Sequence, residues 1–204
     1  MKQLKCSDLR GGDVMLKAND GSIFAKVITT AERAVGQMNP LIMHAGVMFD
    51  RSYIIEALGG GISGSDLRVQ NRTYGYMVYR PKTGSLADGA ATCAKMMFDI
   101  NQSGKTLKYN YPGLPGAVLG GKGKAKNDTQ MDKLLDDILK GKGHRFFCSQ
   151  FVVYVYQFVG AQSGMSASRI FNVNDAKISP ATLASLLQRN PWFDEAGYVM
   201  PNER

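Results

Sequence analysis

The chain has 204 residues, 44% of them hydrophobic and 21% charged, enough to bury one full core, so a single domain over 1–204 is expected. Its formal net charge of +8 favours acidic partners, but no helix-turn-helix, zinc or aromatic RNA-binding signature accompanies the charge, and nucleic acid is not expected as a partner. No apolar run approaches the roughly 18 residues of a transmembrane segment, and the lysine-bearing start, Met1 to Asp8, has no apolar stretch behind it. Three scattered cysteines suit neither a disulfide framework nor a metal site. Synthesis in the cytoplasm without a Sec signal peptide, and no metal or organic cofactor, are the resulting expectations.

In chain order, Val14 to Lys17 is predicted as a strand, Ser22 to Gln37 as a helix, and Ala45 to Phe49 with Tyr53 to Leu58 as a hairpin. Tyr74 to Tyr79 follows as a strand ended by Pro81. Leu86, Ala90, Cys93, Ala94, Met97 and Ile100 recur at helical spacing from Ser85 to Gln102, which places Cys93 on an apolar stripe as a small buried hydrophobe. Tyr109 to Lys126 is rich in Pro, Gly and Lys and reads as a loop over the active-site face. Inside it, Gly116 to Lys122 fits the phosphate-binding Gly-x4-Gly-Lys pattern, yet Gly123 stands where a Ser or Thr must reach magnesium, so no nucleotide site is expected. Asp128 is predicted to cap a short helix carrying Met131, Leu134, Leu135 and Ile138 and ended by Gly141. Ser179-Pro180 marks the start of another, with Leu183, Leu186 and Leu187.

The chemistry concentrates at Phe146 to Tyr156, where Cys148 stands at the point a loop becomes an apolar helix. Unpaired N–H groups and the helix dipole at such a point favour a thiolate and hold an oxyanion. The base must be one of two histidines, His44 or His144. Residues two apart on a strand share a face, so His44 and Glu56 meet on one face of the hairpin if the turn around Asp50-Arg51 has an odd number of residues. Glu56 then orients His44, as a triad requires. His144 lacks a comparable carboxylate, and Asp50 and Gln150 remain alternatives for the third group. Lys122, Lys124, Lys126, Lys140, Lys142 and Arg145 precede the cysteine and form either a solvated loop region or a cationic rim for an acidic substrate.

Cys148-Ser149-Gln150-Phe151-Val152, running on into Tyr154 and Tyr156, resembles the cysteine motif of the NlpC/P60 papain-like hydrolases. A His-x-Gly-Val strand and Tyr53 to Ala57 come before the cysteine, and Leu9 to Val14 resembles a Gly-Asp-hydrophobic first strand. That order is similar to the circularly permuted branch, the YaeF/YiiX-like and lecithin retinol acyltransferase-like proteins. The resemblance spans roughly 9 to 80 and 144 to 190, leaving a Gly/Lys-rich loop and helical insertion at about 85–143. It implies an α+β, permuted papain-like fold with a small antiparallel sheet packed against helices and the nucleophile at a helix N-terminus. It further implies a Cys148–His44–Glu56 thiol amidase or peptidase, with Ser149 and Gln150 at the oxyanion and substrate side. The expected substrate is a peptide or cell-wall amide, with peptidoglycan stem peptides leading, and an exported antibacterial effector would have an immunity or inhibitor protein. A lipid-directed acyltransferase or thioesterase, or a non-catalytic binding module, are the alternatives.

Overall fold

The structure, a computed structural model, describes residues 1–18, 42–104, 107–109, 124–140 and 142–202. The chain forms an α+β fold: a mixed seven-stranded sheet with four α-helices among the described residues. The sheet strands are β1 (Gln3–Leu4), β2 (Val14–Ala18), β3 (Ile42–Met48), β4 (Tyr53–Leu58), β5 (Gly61–Asp66), β6 (Tyr76–Pro81) and β9 (Phe193–Val199). They lie in the order β1-β9-β6-β2-β3-β4-β5, and every ladder is antiparallel except β1 with β9. Strands β7 (Leu107–Tyr109) and β8 (His144–Phe146) make a separate parallel pair. The helices are α1 (Gly84–Gln102), α2 (Asp128–Leu139), α3 (Cys148–Gln162) and α4 (Pro180–Arg189).

Strand β2 is apolar on both faces because both are covered, the pattern of a central strand. Val14 and Leu16 join Ala45, Val47, Ile55 and Ala57 in the main core, where α1 and α3 pack. Met15 points the other way, with Met48, Ile54 and Val78, into a second core closed by Leu4, Leu9 and Leu67. The sheet is thus sandwiched, and polar groups within it must find partners.

The hairpin of β3 and β4 has the odd turn its pattern requires. Phe49 donates its N–H to the Tyr53 carbonyl at 2.8 Å, so Asp50, Arg51 and Ser52 form a three-residue loop. Asp50 stabilises it by accepting the N–H groups of Ser52 and Tyr53, each at 2.8 Å. Gly46 therefore pairs with Glu56 and Met48 with Ile54.

Several expectations need correction. The sheet is larger than the small antiparallel one foreseen, since β5 and β9 extend it and β9 lies between β1 and β6. Strand β6 begins at Tyr76 rather than Tyr74, and it ends at Pro81 as foreseen, with Phe193 opposite that last residue. The cap of α2 is Asn127, not Asp128: its side chain accepts the Gln130 N–H at 2.9 Å, and the Gln130 side chain accepts the Asn127 N–H at 3.0 Å. Asp128 instead accepts the Ala167 N–H at 2.9 Å. Ser179 caps α4 as foreseen, accepting the Thr182 N–H at 3.1 Å. The helix predicted over Ser22 to Gln37, the phosphate-loop near match and Gly141 lie outside the described residues.

At the far end of β2, Gly12 has φ +80°, and a Cβ there would come 2.3 Å from the Ala87 carbonyl, so only glycine fits the approach of α1. Its carbonyl accepts the Tyr156 hydroxyl from α3. Beside it, fully buried Asp13 is held by Arg80 through Nε and Nη2, both at 2.7 Å, and accepts the Arg10 N–H at 2.9 Å. Breaking a buried pair from one side leaves an uncompensated charge. Asp13→Ala is therefore expected to destabilise the fold by about 3 kcal/mol in urea unfolding, well above the loss for an exposed pair such as Lys95–Asp99.

Candidate active site

Helix α3 begins at Cys148 with no side-chain cap, so its first amides stay available. Three buried contacts fix that beginning. The Ser149 hydroxyl donates to the Ile178 carbonyl, the Gln150 amide donates to Asp175 at 3.1 Å, and Lys126 forms an ion pair with the same fully buried Asp175. The segment 175–178 thus holds the first turn of α3 against the sheet.

His44 and Glu56 lie on the sheet face opposite the one α3 packs on, since they alternate with Ala45 and Val47, and with Ile55 and Ala57. Cys148 reaches them because the β3–β4 ladder stops at the Gly46–Glu56 pair. One residue further, Ala45 turns its N–H to the Cys148 sulfur instead of a β4 carbonyl, and Ser149 adds a second N–H. The gap between the parted strands is where the helix start and the histidine meet.

His44 stands diagonal to Glu56 across that last pair, a separation long side chains can span. Gly46, directly opposite Glu56, places no side chain between them. His44 Nε2 forms an ion-pair contact with Glu56 Oε2, which leaves Nδ1 for the thiol, and the ring hydrogen-bonds Cys148. The two side chains are 15% and 3% exposed, so the histidine opens to solvent while the carboxylate lies beneath it. Glu56 Oε1 has no hydrogen-bond partner among the described residues.

Burial acts against charge on His44, but the hydrogen bonds to Cys148 and Glu56 outweigh it and raise the imidazole to about 10. Burial likewise opposes the Cys148 thiolate, and His44 together with the Ala45 and Ser149 amides overcomes it, bringing the thiol below its ordinary value. Each group favours the charged form of the other, which is the direction of a thiolate–imidazolium pair. Such a pair combines a nucleophile with a proton donor for the leaving group.

The structure brings Cys148, His44 and Glu56 together and separates the other candidates from them. The side chains of Ser149 and Gln150, expected at the oxyanion and substrate side, are committed to Ile178 and Asp175, and only the Ser149 amide faces the sulfur. Asp50 is spent on the hairpin turn. His144 lies on β8 with its ring edge-on to Phe146, centroids 4.4 Å apart, and burial lowers its pKa. Of the six cations read as either a solvated loop region or a cationic rim, three are paired, Lys126 with Asp175, Lys140 with Asp136 and Lys142 with Asp137, and Lys122 lies outside the described residues.

Lys17 was not visible as a neighbour from sequence. It pairs with His44 in the β2–β3 ladder, lies 3.5 Å over the Tyr74 ring and reaches Asn71 Oδ1 at 3.3 Å. Burial pushes its pKa down, against the pull of Glu56. Only the strand register could have revealed it. Among the described residues no three His, Cys, Asp or Glu side chains gather as a metal site, and no helix is long and apolar enough to cross a membrane.

No protein-family model, curated protein or solved structure matches this chain.

The paired charges make alkylation a direct readout. Cys148 stays a thiolate as pH falls below the ordinary thiol range and is lost only on passing its depressed value, whereas burial raises Cys6 and pushes Cys93 up to about 12. At about pH 6, iodoacetamide should modify Cys148 at least about a hundredfold faster than either other cysteine, read by peptide mass spectrometry. His44→Ala should erase that preference, because burial then acts on the thiol unopposed by the imidazolium.

Proposed function

We propose that this chain is a cysteine hydrolase with a permuted papain-like arrangement, cleaving an amide bond. The observation that carries this reading is the contact of His44 with both Cys148 and Glu56 at the uncapped start of a helix. A histidine against the cysteine is also what a binding module retaining only the fold would not need to keep.

Cys148 Sγ attacks the carbonyl carbon, forming a carbon–sulfur bond as the carbonyl oxygen takes up negative charge beside the helix-start amides, and the thioester results when that oxygen re-forms its double bond. The carbon–nitrogen bond breaks, and the amine leaves with the proton from His44. Neutral His44 then takes a proton from water, the hydroxide adds to the thioester carbonyl, and the carbon–sulfur bond breaks to release the acid, leaving Cys148 as thiolate beside protonated His44. Glu56 keeps the ring oriented and stabilises its charged form throughout.

Peptidoglycan stem peptides are the substrate class the motif resemblance favours, and an exported effector acting on the wall is the setting in which such an enzyme would be harmless to its producer. Cytoplasmic expression in a Gram-negative host should then be tolerated, while fusion to a periplasmic export signal should cause lysis. Cys148→Ala and His44→Ala should each abolish lysis and the release of muropeptide fragments from purified sacculi. Glu56→Gln should be milder, since the amide still holds the ring while losing the charge that stabilises imidazolium, a loss on the order of 10²- to 10⁴-fold in turnover. Toxicity confined to the cytoplasmic form would move the substrate to an intracellular protein or lipid, and lysis surviving Cys148→Ala would end the thiol reading.

A further inference from the structure

A second site lies at the other end of the sheet. His44 is near the start of β3, whereas Arg51 is in the turn that follows its far end, and Arg80 is the next-to-last residue of β6 on that same side. Around Arg51 and Arg80 a cavity of about 530 Å³ opens, within the roughly 300–1,000 Å³ of small-molecule sites. Five cationic side chains line it: Lys2, Arg10, Arg51, Arg80 and Lys82.

Their charges are unevenly satisfied. Asp13 holds Arg80 from behind, Asp194 lies 3.5 Å from Lys82, and Asp8 spends Oδ2 on the Lys5 amide. Lys2, Arg10 and Arg51 have no carboxylate partner among the described residues. Counting Asp8, Asp13 and Asp194 against the five cations leaves two positive charges in excess. Arg80 is also preorganised: Nε and Nη2 are fixed on Asp13, and Nη2 also on the Asp8 carbonyl at 2.8 Å, while Nη1 has no hydrogen bond among the described residues. Guanidinium groups match the planar faces of oxyanions, and an excess of two suits a doubly charged anion over a single carboxylate.

We propose that this cavity is a binding site for a phosphate or diphosphate group, separate from the thiol centre. The same chemistry is offered by a phosphorylated small molecule and by a phosphate-repeat polymer. The site owes nothing to Cys148, so its test is independent of the hydrolase reading.

Calorimetry on full-length Cys148→Ala protein with inorganic pyrophosphate should show saturable one-to-one binding. Arg10→Ala and Arg51→Ala, both exposed side chains with no ion pair among the described residues, should each weaken it about tenfold, with partial rescue by Arg51→Lys. In the otherwise native chain, the same two substitutions should leave iodoacetamide labelling of Cys148 unchanged. Polyphosphate binding more tightly per site than pyrophosphate would identify a polymer as the source, and equal affinity a small ligand. Absence of saturable pyrophosphate binding, or binding indifferent to both alanine substitutions, would overturn the proposal. Polyphosphate binding alone would do the same, as unspecific attraction to a basic surface.

Discussion

The hydrogen bond from the Ala45 amide to the Cys148 sulfur is the contact on which the arrangement of the site depends. In an unbroken hairpin that amide would serve a carbonyl of β4, and the sheet would stand closed between α3 and His44. Because the ladder ends at Gly46–Glu56, an amide that must be satisfied becomes available to a helix start on one face, while His44 stays within reach from the other. A sulfur anion accepts it well, since two amides and an imidazolium offset the loss of water.

Such an opening needs rigid flanks. Glu56 is buried with His44 as its ion-pair partner, and that contact favours the charged form of the ring. The helix start is held equally firmly by the contacts of Ser149 and Gln150 with 175–178, and Tyr156 ties the same helix to Gly12 a few turns on. Polar side chains that look catalytic in a motif are here part of the frame. Their use is to keep Cys148 within reach of a ring on another element.

Much of this could be read from residue order. The apolar runs of β2, β3 and β4, the apolar stripe of α1 and the Ser179-Pro180 start of α4 are local signals, and each element formed near its predicted place. Turn parity around Asp50 put His44 and Glu56 on one face. Strand β5 had a signal that was passed over, the two residues Gly59 and Gly60 that join Leu58 to Gly61 in a tight hairpin. Strand β9 had none of comparable strength: Asp194 and Glu195 interrupt its apolar pattern, and it forms because β6 and β1 offer it two partners. The pairing of three cations in the charge run before Cys148 could not be read, since their carboxylate partners come from a helix turn and from distant Asp175.

By itself, the amino-acid sequence determined the kinds of element and the position of Cys148 at a helix start, and it made the shared face of His44 and Glu56 depend on the parity of one turn, because helix periodicity and strand alternation are properties of neighbouring residues. Tertiary structure alone decided that the thiol and the ring meet through a parted ladder, that Lys17 stands beside them, and that five cations spread between positions 2 and 82 converge on one cavity. Those are juxtapositions of segments far apart in the chain. Local preferences do not encode them; they follow from which surfaces must be buried together when the sheet and helices close.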